Sequence, residues 1–87
     1  MFYYDLPKDD VKELAKRCAK LATALCAFWL PVHDIRYEAL KKAREFTYSH
    51  YEGNAYPHFE ECDFKPEDEA YIIAQIDKAM DKFYEKH

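Results

Sequence analysis

Residues 21–30 read Leu-Ala-Thr-Ala-Leu-Cys-Ala-Phe-Trp-Leu, and nine of these ten are apolar. A helix on the surface of a globular domain needs apolar residues along one stripe only. A segment apolar almost all round needs cover on several sides. The run is too short to cross a bilayer, which takes about 20 such residues. Pro31 closes it, because proline removes a backbone donor and clashes with the preceding turn. The stretch therefore predicts the centre of a small helical core, with Leu25 and Trp29 at its hub.

The rest of the chain fits helices around that hub. Asp5-Leu6-Pro7 reads as a helix start, with an Asp able to cap and a Pro suited to the first turn. Val11, Leu14, Cys18, Leu21, Leu25 and Phe28 follow at three- and four-residue steps, so helix one is expected over 7–30. Lys8, Lys12, Lys16 and Lys20 line its far side as a solvated ridge. Leu30-Pro31 breaks it, since the residue before proline is pushed out of the α region. Helix two is expected over 31–51, folded back as a hairpin, with Ile35, Ala39, Ala43 and Phe46 inward. Gly53, the single glycine, suits a left-handed C-cap. A loop over 54–65 carries Tyr56, Phe59 and Phe64 as anchors. Helix three is expected over 66–86, with Pro66 first, acidic residues in its opening turn and a stripe of Ile72, Ile73, Ile76, Met80 and Phe83. The expected fold is all-α, a small three-helix bundle forming one domain over 1–87, with room for a short extra helical turn in residues 55–64.

At 87 residues the chain buries only about 60% of its unfolded surface. Its 17% aromatic content compensates, since large rings dominate small cores, and it argues against disorder. So many rings in so small a domain also leave some exposed, where Tyr commonly meets partners. The Met1–Tyr4 arm is expected to fold back on the core for the same reason.

The net charge of −4 is uneven. Residues 1–50 carry nine Lys/Arg against seven Asp/Glu, and residues 51–87 carry four against ten. An acidic second half disfavours phosphate-backbone binding, so nucleic acid is not the expected partner. It suits a basic surface on another protein. Three cysteines, with no basic n-region or long apolar run at the start, point to reduced thiols in the cytoplasm. Cys18 and Cys26 stand about 12 Å apart along one helix, too far for a disulfide.

Four groups of residues are candidates for chemistry. The first is an acidic run, Glu60, Glu61, Asp63, Glu67, Asp68 and Glu69, able to imitate phosphates toward a basic groove; its plain reading is a solubilising loop and an ordinary helix start. The second is Tyr37, Lys41, Arg44, Tyr48 and Tyr51, spaced four, three, four and three on one helix face. Rings interleaved with cations suit a protein interface or a single nucleic-acid strand; their plain reading is a bundle seam. The third is Arg44 with His50, five residues between them. This pair resembles the motif of HEPN-type ribonucleases, and Tyr56-Pro57 extends the likeness. The resemblance implies a dimerising helical bundle in which His50 acts on a ribose hydroxyl while Arg44 holds the phosphate. Glu45 departs from the small polar residue usual there. The plain reading is a His suited to a helix C-terminus. The fourth is His50, His58 and Cys62, with His33 or His87 in reserve, as zinc ligands; no tight ligand pair of the Cys-x-x-Cys kind accompanies them.

Together these features describe a non-enzymatic acidic interaction protein that needs no cofactor and no metal. It would mask the basic surface of a larger partner, as a monomer or homodimer. In character it is similar to phage- or bacterial-encoded inhibitors such as anti-CRISPR and immunity proteins. The HEPN-like ribonuclease and a structural phage component are the alternatives.

Overall fold

Three long helices carry the chain, as the periodicity requires. The computed structural model describes residues 2–50 and 62–86, and for Phe2, Tyr48, His50 and Cys62 it describes the backbone alone. In order the elements are β1 (Phe2–Tyr3), α1 (Lys8–Cys26), α2 (Val32–His50), β2 (Cys62–Asp63) and α3 (Pro66–Lys86). The fold is an all-α three-helix bundle, as expected. The expected extra turn over 55–64, Gly53 and the anchors Tyr56 and Phe59 lie outside the described residues, apart from 62–64. No described helix is long and apolar enough to cross a membrane.

α2 folds back along α1, which makes the expected hairpin. α3 then runs beside α1 in the same direction. Glu67, Asp68 and Tyr71 at its start lie next to Lys8, Val11 and Lys12 at the start of α1. At the other end Tyr84 reaches Cys26. Two parallel helices are entered by two parallel segments, and these pair: β1 and β2 form a two-residue parallel bridge, Phe2 opposite Cys62 and Tyr3 opposite Asp63. The Tyr4 N–H continues it, donating to the Asp63 carbonyl at 2.9 Å. This places Tyr4 and Phe64 in the core, rings 5.4 Å apart and tilted. The arm folds back as predicted, because leaving such rings in water is costly.

α1 carries two apolar stripes. Val11, Ala15, Ala22 and Cys26, at steps of four, seven and four, share one side and are buried. Small side chains there let α3 come close with Ile72, Ile76 and Met80, all buried. Leu14, Cys18, Leu21 and Leu25, at steps of four, three and four, turn toward α2, and Leu21 and Leu25 are only partly covered. α2 contributes Ile35, Ala39, Leu40 and Ala43. Among the described residues Thr47 is the one buried polar residue beside that core, and its hydroxyl donates to the Ala43 carbonyl at 2.9 Å.

Three expectations need correction. Asp5 is not at the cap position of α1. Pro7 sits at the cap position without a side-chain bond, its carbonyl accepting from Asp10 and Val11 at 3.0 and 3.1 Å. The Asp5 carboxylate instead accepts from Lys65 at 3.1 Å. Phe46 is not a core residue; it is 37% exposed, and Thr47, one place on, takes the inward direction. The hub is also misplaced. α1 ends at Cys26 and not Leu30, and of the 21–30 run only Ala22 and Cys26 are buried. Leu25 keeps its contact with the core, but Trp29 is 92% exposed. The cause is the switch from helix to a tighter turn before Pro31, which swings residues 28 and 29 outward.

Candidate functional site

The corner between α1 and α2 is built by that turn. The N–H groups of Ala27, Phe28 and Trp29 donate to the carbonyls of Ala24, Leu25 and Cys26 at 3.2, 3.0 and 3.2 Å. Bonds to the third residue back wind the chain more tightly than an α-helix. Trp29 then takes a φ of 60°, and among the described residues it alone has a positive φ without being glycine. For a side chain with a Cβ that region costs roughly 1–2 kcal/mol. Pro31 restarts the chain, its carbonyl accepting from Asp34 and Ile35 at 3.0 and 3.1 Å.

The outcome is an apolar tip facing water. Trp29 projects, Phe28 is 72% exposed, and Val32 follows on the first turn of α2. Leu25, Leu30 and Phe83 lie half-buried against the core. Tyr84 stands exposed at the same end, and its hydrogen bond with Cys26 pushes the phenol above its ordinary range. Single exposed apolar residues are normal on a monomer, whereas here several large ones gather at one end of the bundle. Sequence reading assigned Phe28 and Trp29 to the core. The signal that would have freed them was Leu30-Pro31, which limits how far α1 can run.

The residues singled out from sequence are placed differently. Arg44, offered both to a partner and to an RNA phosphate, is engaged within the fold. Its Nε and Nη2 donate to Asp63 Oδ1 at 3.1 and 3.0 Å, and its guanidinium lies 5.8 Å from the Phe64 ring centre. The same oxygen accepts the Phe64 N–H at 2.8 Å. Two candidate sites thus meet and neutralise each other, the tyrosine–cation face giving Arg44 and the acidic run giving Asp63. The pair ties α2 to the strand that leads into α3. Tyr37 and Lys41 remain exposed on the outer face of α2. Tyr51, Glu60, Glu61 and His58 lie outside the described residues, as do the side chains of Tyr48, His50 and Cys62.

Of the acidic run, Glu67, Asp68 and Glu69 form the first turn of α3, where the helix dipole favours them. Burial, and then the charge of Glu67, push the Asp68 carboxyl above its usual range. Lys8 and Lys12 stand across from Glu67 and Asp68, so the negative field there is partly offset. Lys65 is drawn to Asp5, whose hydrogen bond and charge hold its ammonium above its usual range. Among the described residues no group of three His, Cys, Asp or Glu converges as metal ligands would.

Fold and surface therefore define a small three-helix bundle that presents an aromatic corner at one end. Comparison with protein-family models, with curated proteins and with solved structures gives no match to this chain.

Proposed function

We propose that this protein is a non-enzymatic binding module that covers a surface of a larger partner protein, with the Phe28–Val32 corner as its anchor. The observation that carries the reading is Trp29, nearly fully exposed and held at a φ of 60°. A glycine would make the same turn without the steric cost. A tryptophan there exposes a large ring in the free protein, and that exposure is recovered when the ring enters a pocket, while the turn holds the ring outward. Trp is among the residues that dominate interface energetics, and rigid aromatic anchors seated in a partner's pocket carry most of the affinity. The acidic start of α3 lies at the opposite end of the bundle from this corner and is partly offset by Lys8 and Lys12, so it would bias long-range approach to a basic partner surface and take no part in the anchor contact; such steering raises association rates more than final affinity.

The test separates anchoring from folding. A partner is first recovered with the tagged wild-type protein, and its affinity is then compared for wild type and Trp29→Gly. The substitution is expected to weaken binding by about 2 kcal/mol or more, roughly thirtyfold in Kd, while the melting temperature stays level or rises. Equal affinity for the two proteins would remove the corner as the anchor. Because the chain has one tryptophan, its emission reports the same event directly, shifting to the blue as the indole leaves water.

A further inference from the structure

Between α1 and α2, on the side that α3 does not reach, lies a groove of about 410 Å³. Its walls are Leu14, Cys18 and Leu21 from α1 with Ala43 and Phe46 from α2, and its rim carries Arg17, Lys42 and Glu45. We propose that this groove is a binding site for a small amphipathic monoanion, an apolar chain or ring carrying one carboxylate.

Size, shape and charge each favour that occupant. The volume falls within the roughly 300–1,000 Å³ of small-ligand sites, and an apolar lining with a few polar groups at the edge is their usual make-up. A partner helix would need a continuous trough, and among the described residues this one is interrupted. The Arg17 guanidinium lies over the Phe46 ring, 4.4 Å from its centre, and so bridges α1 to α2. On the far side of that bridge a second basin of about 170 Å³ runs toward Leu6 and Asp10. The bridge divides the trough into two short compartments. The larger is rimmed by two cations and one carboxylate, the smaller by Arg17 with Asp10 and Glu13. A monoanion is thus directed to the larger one.

The rim cations are held loosely. Lys42 Nζ is 3.3 Å from Glu45, and Arg17 Nε is 3.7 Å from Glu13, all four side chains being well exposed. Exposed pairs of this kind contribute little, so a ligand carboxylate exchanges for them at small cost. The floor is apolar: the Cys18 thiol is buried and donates to the Ala39 carbonyl at 3.5 Å. An apolar tail would lie over that floor with the carboxylate at Arg17 and Lys42.

The probe is decanoate, set beside neutral decanol and cationic decylamine and followed by amide chemical shifts of the full chain. Decanoate is expected to saturate at one equivalent, with shifts centred on Leu14, Cys18, Leu21 and Ala43. Decanol and decylamine should bind at least tenfold more weakly. The double variant Arg17→Gln/Lys42→Gln changes two exposed side chains and keeps the fold; it should lose about tenfold in decanoate affinity, the scale of one charge-assisted contact. Leu21→Trp should fill the groove and abolish binding with an unchanged melting temperature. The proposal is overturned by the absence of saturable shifts, by equal binding of the three probes, or by shifts centred on the Phe28–Val32 corner. This readout is independent of any protein partner, so failure of the corner as an anchor leaves it standing.

Discussion

The two sides of α1 form a contrast. Toward α3 it shows Val11, Ala15, Ala22 and Cys26, and the seam is closed by Ile72, Ile76 and Met80, all buried. Toward α2 it shows Leu14, Cys18, Leu21 and Leu25, which are larger on average, yet this side stays open as a groove of about 410 Å³. Side-chain size explains the difference. Alanines on α1 bring α3 close enough for its isoleucines to fill the gap. On the other side leucines hold the helices apart, while the residue opposite is Ala43, too small to fill what they leave. Larger apolar residues therefore do not by themselves make a tighter interface; complementarity across the seam does.

The contrast is most directly broken by shortening one residue on each side. Ile76→Ala empties a fully buried site, and an aliphatic truncation there should cost about 2–5 kcal/mol. Leu21→Ala removes as much side chain from the half-open wall, where the cavity already exists, and should cost under about 1.5 kcal/mol. Urea midpoints at constant slope measure both. Equal losses would mean that the groove is as well packed as the seam.

Next in size is the response to alkali. Burial pushes the Cys18 thiol up to about 11, from 9.0 in the open chain. A raised folded value means that the folded state favours the protonated thiol. The stabilisation is then fully present below about pH 9 and is lost as pH rises toward 11. Its slope approaches about 1.4 kcal/mol per pH unit at most. Tyrosines and lysines also titrate there, so the informative quantity is the difference between wild type and Cys18→Ala. The variant should be less stable at pH 7 and fall less steeply between pH 9 and 11. Parallel curves would show that water reaches the groove floor and that the thiol ionises as in the open chain.

The α3 half of the seam was legible in the sequence, and the α1 half, the groove and the corner were not, for physical reasons. Periodicity reports which residues avoid water, so Val11, Cys18, Ile72, Ile76 and Met80 could be placed inward from their spacing, whereas the buried Ala15, Ala22 and Cys26 lie off the stripe of larger apolar residues that dominates α1. It does not report how many neighbours a helix has. Leu21 and Leu25 read like core residues because a fourth helix would have buried them. Trp29 was misread because nine apolar residues in ten outweighed one proline, although the proline decides where the backbone can stay helical. Arg44 and Asp63 were assigned to two separate surfaces because they are 19 residues apart, and nothing local signals a bond at that separation. The start of α3 was plain from Pro66 and the three acids after it, since capping chemistry is local.

The smallest expected effect concerns the bridge that divides the trough. Arg17 over Phe46 is a cation–π contact between exposed partners, which is worth about 0.5–1 kcal/mol. Phe46→Leu keeps an apolar wall of similar reach but removes the ring face, so stability should fall by about that amount or less. Phe46→Tyr retains the face and should restore the wild-type urea midpoint. A cation–π origin also demands that Arg17→Gln cost little more once Phe46 is already Leu. That makes the double-variant cycle the decisive measurement. Additive losses would mean that Arg17 and Phe46 stabilise the fold separately, so that the contact between them adds nothing to the open side of α1 and the contrast with the α3 side rests on packing alone.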